Sequence, residues 1–471
     1  MIDRTLQQIA DATGGRATGD PDIVVDAVTM DSREVAGLVA AGLRPLFVAR
    51  RGEHADGHDH APSAVADGAV AVLGEHEVVA HGGRVPTVVV ADTDTALAAF
   101  GGHVRDVVDP IVIGVTGSVG KTTTKDLLRS ALGASRKVVA AKGSFNNDVG
   151  VPLTLLSLSA DTEVLVVELG ARGPGQIASL CTHVRPDVGI VTAVAGAHLE
   201  LFGDLDGVAH AKAELPAAVG AEGTIVLNLD DPRVTAMDAV SPAAVLRCSA
   251  VGAVGADLAV ADLRLDARAR ARFTAVTPWG DHAVELPVAG AHHAANALFA
   301  LAATGAVGAD VAAGAAALAT AEVSPWRGAV DEIGGVVVID DAYNANPTSV
   351  LAALDTLGHL DVPGKRVAVL GVMAEIGADH EYEHWRVGKR AASMVDHLVV
   401  VGEPAHAIAA GAREGGLGRV TVADDADDAL SHLDLRDGDA LLVKASRVAG
   451  LERVVVRLRA DHTSLPSEDN G

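Results

Sequence analysis

The residues best suited to do chemistry are Gly114-Val115-Thr116-Gly117-Ser118-Val119-Gly120-Lys121-Thr122-Thr123. An apolar run leads in, glycines make a turn, and a helical pattern leaves from Lys121. Glycine lets backbone N–H groups converge on phosphate oxygens, and the first turn of a helix adds partial positive charge. In such a loop the lysine reaches the β- and γ-phosphates of a nucleotide, and the hydroxyl after it serves Mg2+. Lys121 and Thr122 stand in those places. The strict pattern G-x-x-x-x-G-K-[ST] is not met, because Val115 lies where its first glycine belongs, but the shorter T-G-x-x-G-K-T is present. Phosphoryl transfer is the chemistry predicted, with Thr116 through Thr123 around the phosphates.

Other chemically useful groups follow apolar runs. Glu168 ends the run 164–167, His198 follows 188–194, and Asp230 and Asp231 follow 224–227; Lys212 lies on a helical stretch between the last two runs. In parallel sheets ligands bind beyond the carboxyl ends of strands, so Thr122, Glu168 and His198 can share one rim. Oxygen ligands suit Mg2+, and one imidazole among them is tolerable. Taken alone, a histidine after a strand is a turn residue and Lys212 a solvated helix charge. Their position around the loop is what makes them candidates.

The elements that must position these groups are legible as apolar runs. Continuous runs of four to seven residues at 111–115, 164–167, 188–194 and 224–227 alternate with helical patterns such as 121–132 and 205–219. Strands buried on both faces read this way, and the alternation implies right-handed crossovers and a parallel sheet. A second series, at 336–339, 366–370, 397–401, 420–422 and 440–443, predicts another α/β domain without a G-x-G-x-x-G fingerprint. The first 95 residues alternate short runs (45–49 and 68–73) with Gly- and Asp-rich turns, and a helical stretch at 95–107 leads to Asp109-Pro110. The expected fold is α/β in three domains: a small N-terminal one (1–95), a central P-loop domain on a parallel sheet (96–327), and a Rossmann-like C-terminal one (328–471) with a polar, frayed tail from Asp461.

Composition narrows the class. The 471 residues carry 37 Lys+Arg against 62 Asp+Glu, a net charge of -25, which argues against a nucleic-acid binder because such proteins need a basic surface. Two cysteines, Cys181 and Cys248, cannot build a disulfide framework, so a reducing, cytoplasmic setting is expected. Residues 1–8 lack the basic-then-apolar order of an export signal. The Ala- and Gly-rich stretch 298–321 is interrupted by Asp310 and reads as one or two helices outside any membrane.

A dozen segments in order resemble the Mur ligases, ATP-dependent amide-forming enzymes of peptidoglycan synthesis. They are Asp31-Ser32-Arg33; Leu46 to Glu53 with Asp56-Gly57-His58-Asp59; the phosphate loop; Asn146-Asn147 before Gly150-Val151-Pro152-Leu153-Thr154; Glu168-Leu169-Gly170-Ala171; Ala197-His198-Leu199-Glu200; Ala211-Lys212-Ala213-Glu214; Gly290-Ala291-His292 with Asn296; Trp326-Arg327-Gly328; Asp340 to Pro347; Met373-Ala374-Glu375-Ile376-Gly377; and Lys444-Ala445-Ser446-Arg447. The Tyr343 to Pro347 and Met373 to Gly377 segments resemble the branch that adds D-Ala-D-Ala. The D-N-P-R motif of the diamino-acid-adding branch, the nearest rival, is absent. Three positions depart from the family's motifs: Val372 stands where Asp is expected, Ala445 for Gly, and His293 for Asn.

The resemblance implies roles. Ser32, Arg33, Phe47, Arg50, Gly57 and His58 would hold the UDP of a UDP-N-acetylmuramoyl-tripeptide. Lys121 and Thr122 would serve ATP and one Mg2+, with Glu168 on that ion and His198 on a second. Lys212 would carry a CO2-derived carbamate that bridges metals. Asn296 would meet adenine, Arg327 the phosphates and Asp341 the ribose. Tyr343, Asn344, Asn346, Lys444, Ser446 and Arg447 would line the pocket for dipeptide or peptide tail, and Asn146 and Asn147 would also bind substrate. The chemistry would be activation of a carboxylate as an acyl phosphate, then attack by the amine of D-Ala-D-Ala. No nucleic-acid or membrane partner is expected, and the chain is expected to be a monomer. A P-loop switch ATPase, the alternative of another class, leaves the Asp-Ser-Arg and Asp-Gly-His segments without a purpose.

Overall fold

Runs of valine and isoleucine without polar neighbours are stable only where both faces of a sheet are covered, and the computed structural model places them there. It describes residues 1–52, 55–80, 83–196 and 199–463. The chain forms two compact units, one of Met1–Val115, Arg136–Ala171 and Gln176–Val188, the other of Thr116–Ser135, Arg172–Gly175 and Gly189–Gly471.

The first unit holds a five-stranded sheet in the order Arg16–Thr18, Thr87–Val89, Ala71–Gly74, Pro45–Val48, Ala27–Thr29. Its last four strands are parallel, and Arg16–Thr18 is an antiparallel edge. Phe47, Val72, Val35 and Ala64 are part of the core on one face. Helix Ser32–Ala40 follows Ala27–Thr29 because Asp31 caps it, accepting the Arg33 N–H. Helix Thr93–Val108 starts from an Asp92 cap, so a seam after residue 95 falls in its first turn. The unit also carries parallel strands Val138–Ala140, Val164–Glu168 and Ile111–Thr116, in that order, with Val115 opposite Glu168. Leu165, Val166 and Val167 are wholly buried, each contributing roughly 1.5–3 kcal/mol by burial.

In the second unit the phosphate loop opens helix Lys121–Gly133. Strands Val188–Val191, Thr224–Asn228, Ala244–Ser249, Leu258–Leu265, Arg270–Thr277 and Gly280–Ala289 lie side by side in chain order. Parallel pairing ends at Leu258–Leu265, and the last three strands form an antiparallel meander. The parallel strands expected from sequence are present, and the meander is an antiparallel extension that the sequence reading did not name. In Arg270–Thr277 only alternate residues, Ala271, Phe273, Ala275 and Thr277, are buried, so no continuous apolar run marks the strand. The run at 188–194 also yields strand only to Val191.

Helix His293–Ala306 packs on Lys121–Gly133 with nearly every residue buried, and Val311–Ala317 follows it. No helix among the described residues is long and apolar enough to cross a membrane. The second sheet of this unit runs Ala329–Ile333, Val336–Asp340, Ala440–Lys444, Arg366–Leu370, His397–Val401, Val420–Ala423, parallel except for the first pair. Cores built on Leu354, Leu370 and Leu398 on one face and Val369, Leu441 and Val454 on the other cover it. Helix Glu452–Thr463 includes the polar tail's first residues; the rest of the tail lies outside the described residues.

Candidate active site

The phosphate loop owes its shape to two glycines. Gly117 and Gly120 have φ of 143° and 85°, a region that suits glycine. A Cβ on Gly120 would also stand 2.6 Å from Asn296 Oδ1. Neighbouring residues tie the loop down. The Ser118 N–H donates to the Ala193 carbonyl at 2.8 Å, and the Thr192 hydroxyl to the Val119 carbonyl at 2.5 Å. Helix Lys121–Gly133 has Gly120 as its N-cap and therefore no side chain over its first turn, as an anion-binding helix start requires. The Lys121 ammonium folds back onto the Gly117 carbonyl at 2.7 Å.

A cavity of about 270 Å³ opens beside this loop, lined by Gly120, Thr123, Asn296, Arg327, Asp341 and Lys444 among others. The Asn296 amide is held at both ends: its Oδ1 accepts from the Thr124 hydroxyl at 3.3 Å and its Nδ2 donates to His293 Nδ1 at 3.1 Å. Nδ1 of His293 is thus an acceptor, and its proton sits on Nε2. Burial keeps this ring neutral, its pKa well below the usual histidine value. The histidine that departs from the family's asparagine is therefore the group that orients Asn296.

Lys212 is no solvated helix charge. It is 3% exposed, and burial, reinforced by the nearby Lys121 charge and opposed by Glu214, lowers its pKa to about 7. Its Nζ lies 5.8 Å from the centre of the Phe202 ring. Glu168, also buried, accepts a 2.8 Å hydrogen bond from the Asn146 side chain, which fixes one carboxylate oxygen. His198 lies outside the described residues. Asp230 and Asp231 fasten loops: Asp230 accepts from the Ser249 hydroxyl and Ala250 N–H, Asp231 from the Val194 N–H.

On the second sheet of this unit, the Arg327 guanidinium lies 3.8 Å from the centre of the Tyr343 ring. Lys444, buried, pairs with Asp341 at 2.6 Å and donates to the Asn344 carbonyl at 2.8 Å. Several expected pocket residues are instead occupied with the protein itself. Asn346 caps helix Pro347–His359 in a reciprocal capping box with Ser349. The Ser446 hydroxyl accepts from the Ala374 N–H and donates to the Ala345 carbonyl. Asn147 accepts from the Gly150 N–H. Arg447 stacks on Trp326 at 4.6 Å and pairs with Glu452.

The first unit has its own groove of about 1070 Å³, into which Ser32 and Arg33 face, with Arg33 paired to Asp31 at 2.6 Å. Phe47 does not offer its ring to a ligand, because the ring is wholly buried in the core. Arg50 is paired with Asp94 at 2.5 Å. Gly57 packs its Cα against the Arg50 backbone, where a Cβ would stand 2.6 Å from the Arg50 nitrogen. His58 spends both ring nitrogens internally: Nε2 accepts the Glu75 N–H at 2.9 Å, so Nδ1 carries the proton and donates to Asp56 at 2.6 Å. The sequence reading missed His60, Lys142 and Phe145, which also line this groove. Phe145 stands one residue before Asn146-Asn147, the only sequence signal for it.

Three family profiles match in succession: "Mur ligase family, catalytic domain" at residues 24–105, "Mur ligase middle domain" at 115–304, and "Mur ligase, glutamate ligase domain" at 328–447. The UDP-N-acetylmuramoyl-tripeptide--D-alanyl-D-alanine ligase of Mycobacterium tuberculosis (strain H37Rv) is 40% identical, over 98% of this chain and 99% of its own length. The chain belongs to the Mur ligase family. The Escherichia coli K12 ligase of the same name is 36% identical, over 98% of this chain and all of its own. Among solved Mur ligases, MurF from Acinetobacter baumannii superposes with a TM-score of 0.86 at 30% identity, covering 98% of this chain and 99% of that one. MurF ligase from Thermotoga maritima, in complex with ADP, gives 0.78 at 28% identity, covering 93% and 98%.

Proposed function

We propose that this Mur ligase joins D-alanyl-D-alanine to UDP-N-acetylmuramoyl-tripeptide at the expense of ATP. The observation that carries this reading is the end-to-end agreement, at 36–40% identity, with ligases named for that reaction. The cavity geometry supports it. ATP lies with its phosphates on the loop of Gly117 to Thr123 and its base at Asn296, and Arg327, steadied by Tyr343, meets the phosphates. Asp341, paired with Lys444, faces the ribose. The groove of the first unit, through Ser32 and Arg33, takes the UDP end of the muramyl substrate.

A carboxylate is a poor acyl donor because oxide does not leave at neutral pH. Transfer of the γ-phosphoryl of ATP to the terminal carboxylate of the tripeptide gives an acyl phosphate and ADP. The free amine of D-Ala-D-Ala attacks the acyl carbon, phosphate leaves, and the amine's proton passes to solvent or base. Such transfer asks the protein chiefly for positioning and charge stabilisation, which Lys121 and Arg327 provide.

Hard oxygen ligands suit Mg2+: the Thr122 hydroxyl is one, and the buried Glu168 carboxylate, held by Asn146, is chemically another. Among the described residues no group of three or more His, Cys, Asp or Glu could hold a metal; a carbamate on Lys212 would add an oxygen donor of the carboxylate kind. Bound Mg2+ neutralises phosphate charge. Carbamate formation needs an uncharged amine to attack CO2, losing one proton, and burial supplies that amine. A reducing cytoplasm suits Cys181 and Cys248, both buried and in no disulfide.

The test is a paired-substrate assay read by product mass. ATP, UDP-muramyl-tripeptide and D-Ala-D-Ala together should give the ligated product, and phosphate release should need both acceptors. Product from a single diamino acid instead would assign the chain to the rival branch, and phosphate release without acceptors would make it a switch.

A further inference from the structure

Arg327 is placed unusually. Its Nε is buried without a hydrogen-bond partner among the described residues, and the guanidinium lies over the Tyr343 ring face. The backbone on both sides is fixed, since the Tyr343 N–H donates to the Trp326 carbonyl at 3.2 Å and the Gly328 N–H to the Asp340 carbonyl at 3.0 Å. These bonds continue the antiparallel pairing of Ala329 with Asp340.

The turn that feeds Arg327 into this position is Ser324-Pro325-Trp326-Arg327. Trp326 has φ of 60°, a left-handed conformation in which a bulky residue is strained. Proline followed by a left-handed residue is the arrangement of a type II turn, whose second central position normally takes glycine. A tryptophan persists there only if its side chain gains more than the backbone loses. The contact that explains it is the Arg447 guanidinium, 4.6 Å from the ring centre. Arg447 is in turn held by Glu452 at 3.4 Å.

We infer that Trp326 is a positioning residue for Arg327: its ring, seated against Arg447, holds the strained turn in the one shape that lays Arg327 across Tyr343. Arg447 then acts as the anchor of this stack rather than as a peptide-binding group. The inference rests on the reading that Arg327 meets the phosphates of ATP.

Three variants of the full chain test it, each checked for folding by thermal melting. Trp326→Gly removes the ring but keeps a backbone at ease in the turn, so it should melt no earlier than the parent. It should lower kcat of ligation by about tenfold or more and leave KM for the muramyl substrate unchanged. Trp326→Phe, which keeps a stacking face, should restore most of kcat. In an Arg327→Ala background Trp326→Gly should cost nothing further, because the group it positions is gone. Wild-type kcat in Trp326→Gly, equal damage from Phe and Gly, or full additivity with Arg327→Ala would each overturn the inference. Undiminished activity of Arg327→Ala alone would instead sink the reading of Arg327, a separately visible outcome.

Discussion

At the residue scale the proposed chemistry bears most directly on Lys212. An unfolded lysine keeps its proton to about pH 10.4, whereas Lys212 in the fold gives it up at about 7. Between those values the unfolded chain binds the extra proton, so stability rises with pH across that window. Below it the full cost of burying the amine applies, on the order of 4 kcal/mol. Lys212→Met should therefore be more stable than the parent near pH 6, with the difference vanishing toward about pH 10, as urea melts at several pH values would read. The same variant should lose ligation by roughly a hundredfold or more, because a thioether cannot react with CO2. In the parent, activity should fall as pH drops below about 7, where the amine is protonated and the carbamate cannot form. A parent whose rate stays flat from about pH 8 to 6 would contradict that assignment.

At the scale of elements, His384 shows how a loop is set. It is wholly buried; its Nε2 accepts the Met373 N–H at 2.9 Å, and its Nδ1 donates to the His380 carbonyl at 2.7 Å. Burial lowers its pKa to about 4. Between pH 6.5 and 4 the unfolded histidine takes up a proton that the folded one refuses, so stability is lost as pH falls through that window, by about 3 kcal/mol at most. His384→Gln offers an acceptor to Met373 but no titrating group, and its stability should lose that part of the acid slope. Helix Pro347–His359 gives a second case: Asn346→Ala removes its cap and should cost about 1 kcal/mol in a urea melt, with nucleotide affinity little changed.

These elements also show what the sequence could reveal. The doubly covered strands were legible because burial on both faces demands unbroken apolar runs, and Arg366–Leu370 and His397–Val401 fall where the runs lie. The antiparallel meander was not, since its one-sided burial leaves only alternation among arginines and threonines. At the site, the glycine turn and the helix that starts at Lys121 were readable from local spacing. The internal commitments of Phe47, His58 and Ser446 were not, because they depend on partners such as Glu75 and Ala374, brought close only by the fold.

At the scale of the whole molecule, the units are interleaved in sequence: strand Val164–Glu168 belongs to one, and the loop that begins after Val115 to the other. The cavity beside the phosphate loop is lined wholly from the second unit and the Arg33 groove wholly from the first. Ligand effects should follow that division. A ligand that binds only the folded state stabilises by about 2.7 kcal/mol at a hundred times its Kd, and the amides it covers exchange more slowly. Hydrogen exchange with ADP and Mg2+ should therefore show protection at 116–124 and 289–299, and with the UDP-muramyl substrate at 26–34 and 140–157. Lys121→Ala should abolish the first pattern and spare the second, because it removes the phosphate contact without touching the groove. Protection of 26–34 by ADP alone would contradict separate sites. Loss of the muramyl pattern in Lys121→Ala would show that substrate binding depends on the phosphate loop.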